Sequence, residues 1–263
     1  MAVSLYLSAD MIDTLHLPAD VALPGDEHLS CRHLRGLKSI RVMDLLTGTV
    51  SGTEVISLPV SGMTQSYFAR LSATAVTELF LMQLFLSRSL PPPVFITLPV
   101  RVLASEQLCG RLVAHDLSQV IIQIPDIEQM TVLRLCTAMQ LHKNLSGLKR
   151  AGAQIYVKDV SPGQVKILSG LALPLSGVKI NRLTFQRICR SVSTLPEQVV
   201  KLKDLAPNIV AEGIDSQEQY LIAAMTGFTH AQGKLWPARM RRLILGRRRT
   251  VHEKNMQRYI IPD

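Results

Sequence analysis

Carboxylates, amides and amines placed just past short apolar runs are the residues of this chain that could do chemistry. Ile209-Val210-Ala211-Glu212-Gly213-Ile214-Asp215-Ser216-Gln217 sets a carboxylate and a glycine at the end of one such run. Ala231-Gln232-Gly233 repeats the pattern where the next strand should end. Barrel enzymes hold their acids, bases and metal ligands at strand ends on one shared face. The other apolar runs then bring out Glu54, Thr97, Gln123 or Asp126, Lys158 with Asp159, and Lys179. Taken singly, each reads equally well as a helix cap or a solvent contact; together they describe one mouth.

The elements that position these residues follow from hydrophobic period. Ser39 to Asp44 and Val50 to Leu58 are β-type runs around Leu46-Thr47-Gly48-Thr49, which predicts an antiparallel hairpin. Ala73 to Leu90 predicts a mostly buried helix stopped by Pro91-Pro92-Pro93. Strands expected at Val94 to Leu98, Val120 to Ile124, Gln154 to Asp159, Gly177 to Ile180 and Ile209 to Ala211, with a last one ending near Gln232, alternate with helices. Those helices fall near Ser105 to His115, Glu128 to Ala151, up to Leu171, from Thr184, and Gln217 to Met225. Apolar strands alternating with helices imply a parallel sheet covered on its outer face. So many repeats in one chain imply an α/β barrel. The expected divisions are an N-terminal extension over 1–36, a barrel over 37–240 and a basic tail over 241–263.

At these positions the sequence resembles the EAL family, phosphodiesterases that hydrolyse cyclic di-GMP on a modified TIM barrel whose first strand is antiparallel. Val210-Ala211-Glu212-Gly213-Ile214-Asp215-Ser216-Gln217-Glu218-Gln219 with Ala231-Gln232-Gly233 is similar to the family's Ala-Glu-Gly-Val-Glu-Thr-x-x-Gln and Ala-Gln-Gly. Thr53-Glu54-Val55-Ile56 resembles the stretch with the signature itself, Glu54 standing on its Glu.

The resemblance implies two divalent cations held by carboxylates and one Asn, activating a water for in-line attack on a phosphodiester. Glu54, Asp159, Lys179, Glu212 and Gln232 keep the family's residue types. Thr97 stands for the Asn, Gln123 and Asp126 for the Glu-x-x-Glu pair, Asn181 for an Asp, Asp215 for a Glu, and Leu58 for the substrate-binding Arg. Lys158 replaces a metal-ligating Asp. An ammonium has no lone pair to offer, and at about 4 Å with an effective dielectric near 20 it opposes a divalent ion by roughly 8 kcal/mol. The resemblance therefore implies a degenerate member with no metal and no cofactor, regulatory rather than catalytic. It would act by binding a protein partner, transcriptional regulators being among the kinds such members bind. The alternative is a cyclic di-GMP receptor or weak phosphodiesterase. Lys158 is expected as an internal counter-ion to the surviving acids; the plainer reading points it to solvent.

Composition narrows the rest. The chain has 263 residues, 47% hydrophobic and 19% charged, as in ordinary globular proteins. No apolar run approaches the roughly 18 residues of a spanning helix, and no secretory signal pattern opens the chain, so the expected location is cytoplasmic. Cys31, Cys109, Cys136 and Cys189 lack metal-site spacing and read as reduced, mostly core cysteines. Net charge is +9, and eight basic residues against two acids from Arg239 onward carry +6 of it. Arg239, Arg241, Arg242, Arg247, Arg248 and Arg249 thus form a candidate basic interaction surface. It reads as a solvated basic helix, as a dock for an acidic protein, or as a neutraliser of nucleic-acid or lipid phosphates, although no aromatic residues interleave it.

Overall fold

The computed structural model describes residues 12–17, 34–59, 69–125, 127–190 and 195–245, with backbone alone at 12–17 and 241–245. Their strands form a single sheet that closes on itself. β1 (Ile12–Leu17) lies outside the ring, which consists of β2 (Leu34–Asp44), β3 (Val50–Pro59), β4 (Val94–Thr97), β5 (Val120–Ile124), β6 (Gln154–Val157), β7 (Gly177–Ile180), β8 (Asn208–Glu212) and β9 (His230–Gln232). β10 (Arg239–Leu245) lies outside it as well. β2 runs antiparallel to both its barrel neighbours, β3 and β9, and the remaining barrel pairs are parallel. The expected α/β barrel with an antiparallel first strand is the architecture found.

Helices cover the outer face: α1 (Ala73–Leu86), α2 (Val100–Leu103), α3 (Glu106–Val113), α4 (Ile127–Thr131), α5 (Leu135–Arg150), α6 (Val165–Gly170), α7 (Arg182–Cys189), α8 (Leu195–Lys203) and α9 (Gln217–Thr226). Ser72 caps α1 by accepting from the Ala75 N–H, and the helix that follows is apolar almost all round, so nearly every side is buried. None of the helices among the described residues is long and apolar enough to cross a membrane.

Several expectations shift. The helix predicted over Glu128 to Ala151 is two helices, because the chain is extended at Arg134. α8 has no counterpart among the expected helices, although Leu195, Val199 and Leu202 are buried at helical spacing behind Pro196 in the first turn. Where the run from Arg239 to Arg249 is described, at Arg239–Leu245, the basic helix read there gives way to β10. A helix would set Arg239 beside Arg242 at like-charge spacing, whereas the backbone of β2 at Gly36 to Ser39 offers a ladder that β10 completes. Only Cys109 of the three described cysteines is core, its thiol pushed up to about 12 by burial. Cys189 is half-buried and Cys136 exposed, against the expectation, and Cys31 lies outside the described residues.

Inside the barrel, alternate residues of each strand share the inner face. Val42, Phe95, Ile121, Tyr156 and Val210 make a small apolar cluster separate from the larger core beneath the helices. The rings of Phe95 and Tyr156 meet edge to face at 5.6 Å. Tyr156 needs a neighbour without a side chain: a Cβ on Gly177, the adjacent position of β7, would fall 2.3 Å from its ring. Gly177→Ala should therefore destabilise the protein by about 1–3 kcal/mol through overpacking, read as a lower urea midpoint. Adding Tyr156→Leu should recover part of that loss.

Candidate functional site

Beside this cluster, the inner face turns polar. Glu54 of β3, Gln123 of β5, Lys179 of β7 and Gln232 of β9 project into the same space and are 3%, 0%, 2% and 2% exposed. A carboxylate buried this deeply must be paired and hydrogen-bonded. Its Oε1 accepts from Gln123 Nε2 at 3.0 Å. Its Oε2 accepts from Lys179 Nζ at 2.8 Å and from Gln232 Nε2 at 2.5 Å. Lys179 Nζ also lies 3.3 Å from Glu212 Oε2, at the better-hydrated end of β8.

Burial alone would raise the Glu54 pKa, but the charges of Lys179 and Lys158, with hydrogen bonds from Lys179 and Gln232, bring it down to about 2. For Lys179, burial works against the ammonium, and the charges of Glu54 and Glu212 outweigh it and raise its pKa. Both groups are therefore charged at neutral pH. Gln123 and Gln232 direct their N–H groups to Glu54 and leave their own oxygens without a hydrogen-bond partner among the described residues. Hydrogen bonds to an ionised acceptor are strong enough to offset that cost.

Glycines set the height of this layer. The Gly213 and Ile214 N–H groups both donate to the Gln232 carbonyl, at 2.7 and 3.1 Å. A Cβ on Gly233 would fall 2.1 Å from the Ile214 oxygen, so the loops after β8 and β9 cross only because no side chain stands there. The glycines beside Glu212 and Gln232 thereby fix where those two side chains begin.

The structure brings together Glu54, Gln123, Lys179, Glu212 and Gln232. Thr97, Lys158 and Asp159 join Glu54 in lining a cavity of about 550 Å³ at the mouth. Lys158 takes the expected counter-ion place only in part: its charge lowers the Glu54 pKa, while Lys179 makes the direct salt bridge. Lys158 follows the end of β6 and is half-buried without a salt bridge within 4 Å among the described residues, while Lys179 rises from the inner face of β7 at the level of Glu54. Asp159 is exposed, with a left-handed backbone at φ 62. Asn181 caps α7, its Oδ1 accepting from the Thr184 N–H at 2.8 Å. Asp215 ties its loop to its neighbours, accepting from the Lys234 N–H after β9 and pairing with Arg182 at the start of α7. Leu58 is half-buried on β3 opposite Gly36. Arg239 is exposed at the start of β10, Arg241 and Arg242 follow in its backbone, and Asp126, Arg247, Arg248 and Arg249 lie outside the described residues.

Sequence reasoning missed Ser57 and Gln83, which also line the cavity and join through Gln83 Nε2 donating to Ser57 Oγ at 3.0 Å. The signal was present, since Gln83 is the polar residue that interrupts the apolar run of α1.

A divalent cation at Glu54 would need free oxygen lone pairs, with carboxylates preferred. Three N–H donors already point at the two oxygens of Glu54. Among the described residues no three His, Cys, Asp or Glu side chains group closely enough to hold an ion. The arrangement suits a cation supplied by the chain itself and does not fit a divalent metal.

Residues 46–238 match the family model described as EAL domain. No curated protein matches the chain at the level of sequence. Among solved structures it is similar to an EAL domain protein from Listeria monocytogenes, with 17% identity over 87% of this chain and 93% of that one and a TM-score of 0.61. It is also similar to Klebsiella pneumoniae BlrP1 in complex with manganese and cyclic di-GMP, with 19% identity over 81% of this chain and 58% of that one and a TM-score of 0.64. The EAL-like domain protein YdiV aligns at 17% identity over 80% of this chain and 95% of its own, with a TM-score of 0.58.

Two outcomes follow from the buried pair. Lys179→Met should cost about 3–5 kcal/mol in chemical unfolding, because it leaves Glu54 charged and alone, and Glu54→Gln added to it should restore at least half. A carboxylate with its pKa depressed from 4.5 to about 2 contributes stability above pH 4.5 that is lost as pH falls through about 2. Between pH 5 and about 2.5 the urea midpoint of the wild type should accordingly fall more steeply than that of the Glu54→Gln/Lys179→Met variant.

Proposed function

The chain belongs to the EAL domain family, and we propose that within it this protein is a catalytically inactive regulator that works by binding a partner protein. One observation carries the reading: both oxygens of Glu54 are taken by N–H donors from Lys179, Gln123 and Gln232. Hydrolysis of a phosphodiester by metal-activated water needs that carboxylate for an ion. Here the carboxylate serves as an anchor for strands instead. Lys158 beside it adds a second positive charge where an ion would approach, and Thr97 offers a neutral hydroxyl. Transcriptional regulators are the partner kind that the degenerate members suggest. The site residues are then a structural remnant of a phosphodiesterase centre, and the cytoplasm is where such a partner would be met.

A second reading, a cyclic di-GMP receptor, is favoured by the cavity of about 550 Å³ that remains open beside Glu54, within the 300–1,000 Å³ usual for small-ligand sites. Leu58 counts against it, since an aliphatic side chain cannot replace a bidentate arginine on a phosphate.

Calorimetry with cyclic di-GMP and a hydrolysis assay in Mg²⁺ and in Mn²⁺, run beside capture from a native lysate, separate these readings. The expected outcome is specific capture, no turnover in either metal, and a dinucleotide affinity too weak to measure in the micromolar range. Turnover that disappears in Glu54→Ala would overturn the proposal, and tight metal-independent dinucleotide binding would favour the receptor.

A further inference from the structure

The cavity beside Glu54 does not run down the barrel axis. Glu54 faces inward, so Val55 and Ser57 on the same strand face outward toward α1, and both line the cavity together with Val76, Leu79 and Gln83 of that helix. It is a slot between the barrel wall and α1, opening at the mouth. Its walls are largely aliphatic, and the buried polar groups there, Ser57 and Gln83, already satisfy each other at 3.0 Å. An apolar group of moderate size fits such a slot.

The opening has a different character. Lys158 lines it with no salt bridge among the described residues, and the nearest buried acid, Glu54, is already matched by Lys179 at 2.8 Å. An anionic group at the entrance would therefore find an ammonium that makes no salt bridge of its own among the described residues and is coupled to Glu54 only through space. Arg101 and Asp159 also line the cavity, so apart from the Glu54–Lys179 pair its charged lining is two basic side chains and one acid, a field that suits a carboxylate. Thr97 and Asp159 bring acceptor oxygens to the same rim and make no side-chain hydrogen bond to the described residues. An extended peptide can supply N–H donors to those oxygens, whereas a free alkyl carboxylate has none.

We propose that this slot seats one apolar side chain of an extended segment of the partner protein, with an adjacent carboxylate of that segment pairing with Lys158. The proposal rests on the partner-binding reading and names the chemistry by which that partner is recognised: an apolar residue beside an acidic one, presented in an exposed strand or loop.

The test titrates the full chain, followed by amide NMR, with three probes. These are acetyl-Ala-Leu-Asp-Ala-amide, the same peptide with Asn for Asp, and octanoate. The acidic peptide should shift the signals of Val76, Leu79 and Lys158 and bind about threefold more tightly than the Asn peptide, as a partly exposed ion pair allows. Lys158→Glu should reverse that order, and Leu79→Trp, which fills the slot, should abolish binding of both peptides. If Leu79→Trp fails to fold, the reversal in Lys158→Glu decides alone. Equal affinity for the two peptides, shifts confined to another face, or octanoate binding more tightly than the acidic peptide would each overturn the proposal. In a lysate, a partner captured equally well by Lys158→Glu overturns the slot and leaves partner binding standing. Charge-selective peptide binding with no captured partner supports the slot and removes the partner reading.

Discussion

The ion pair between Lys179 and Glu54 is the constraint around which this barrel is arranged. Two charges have been taken almost wholly out of water, which is unfavourable unless every remaining donor and acceptor is well placed. Glu54, Gln123, Lys179 and Gln232 belong to four different strands, spaced around the ring, and each must sit at its present height for the pair to survive. The polar layer therefore specifies strand register as much as it contributes to stability. Below it the Phe95 and Tyr156 rings fill the barrel, and above it the mouth opens to water, so the pair marks the level at which an apolar plug becomes a solvated site.

That arrangement gives the inner face of the barrel a single electrostatic focus. Side chains from three strands are aimed at the Glu54 carboxylate, and each of them donates to it. Gln123 donates where a carboxylate would accept, and Lys179 donates directly to Glu54. Internal N–H groups, one of them an ammonium, thus balance the buried carboxylate. The loop crossing at Gly213 and Gly233 fixes strand ends whatever those ends hold.

Much of the barrel was legible from period alone. The hairpin of β2 and β3 and the alternating apolar runs from β4 to β9 carry local patterns that tertiary packing does not need to correct. What could not be read was distance across the ring. Lys158 and Lys179 look equivalent as lysines after short apolar runs, but one follows the end of its strand and the other points inward from within it, a difference of one or two residues in strand phase. Asn181 stands just past a strand end and also caps α7, a second task that spacing alone does not reveal. The arginines of β10 looked helical because nothing local reports the open ladder on β2 that recruits them.

β1 and β10 have a consequence for how the molecule comes into being. They pair in parallel with each other, Ile12 opposite Met240, and β10 alone joins that pair to β2. During synthesis β1 emerges first, and its ladder partner is made only after the whole ring has been translated. The outer ribbon thus has a very high contact order, and its closure must follow that of the barrel. Until then, the backbone of β2 at Gly36 to Ser39 is a bare edge on a nascent chain, exposed to whichever strand arrives first.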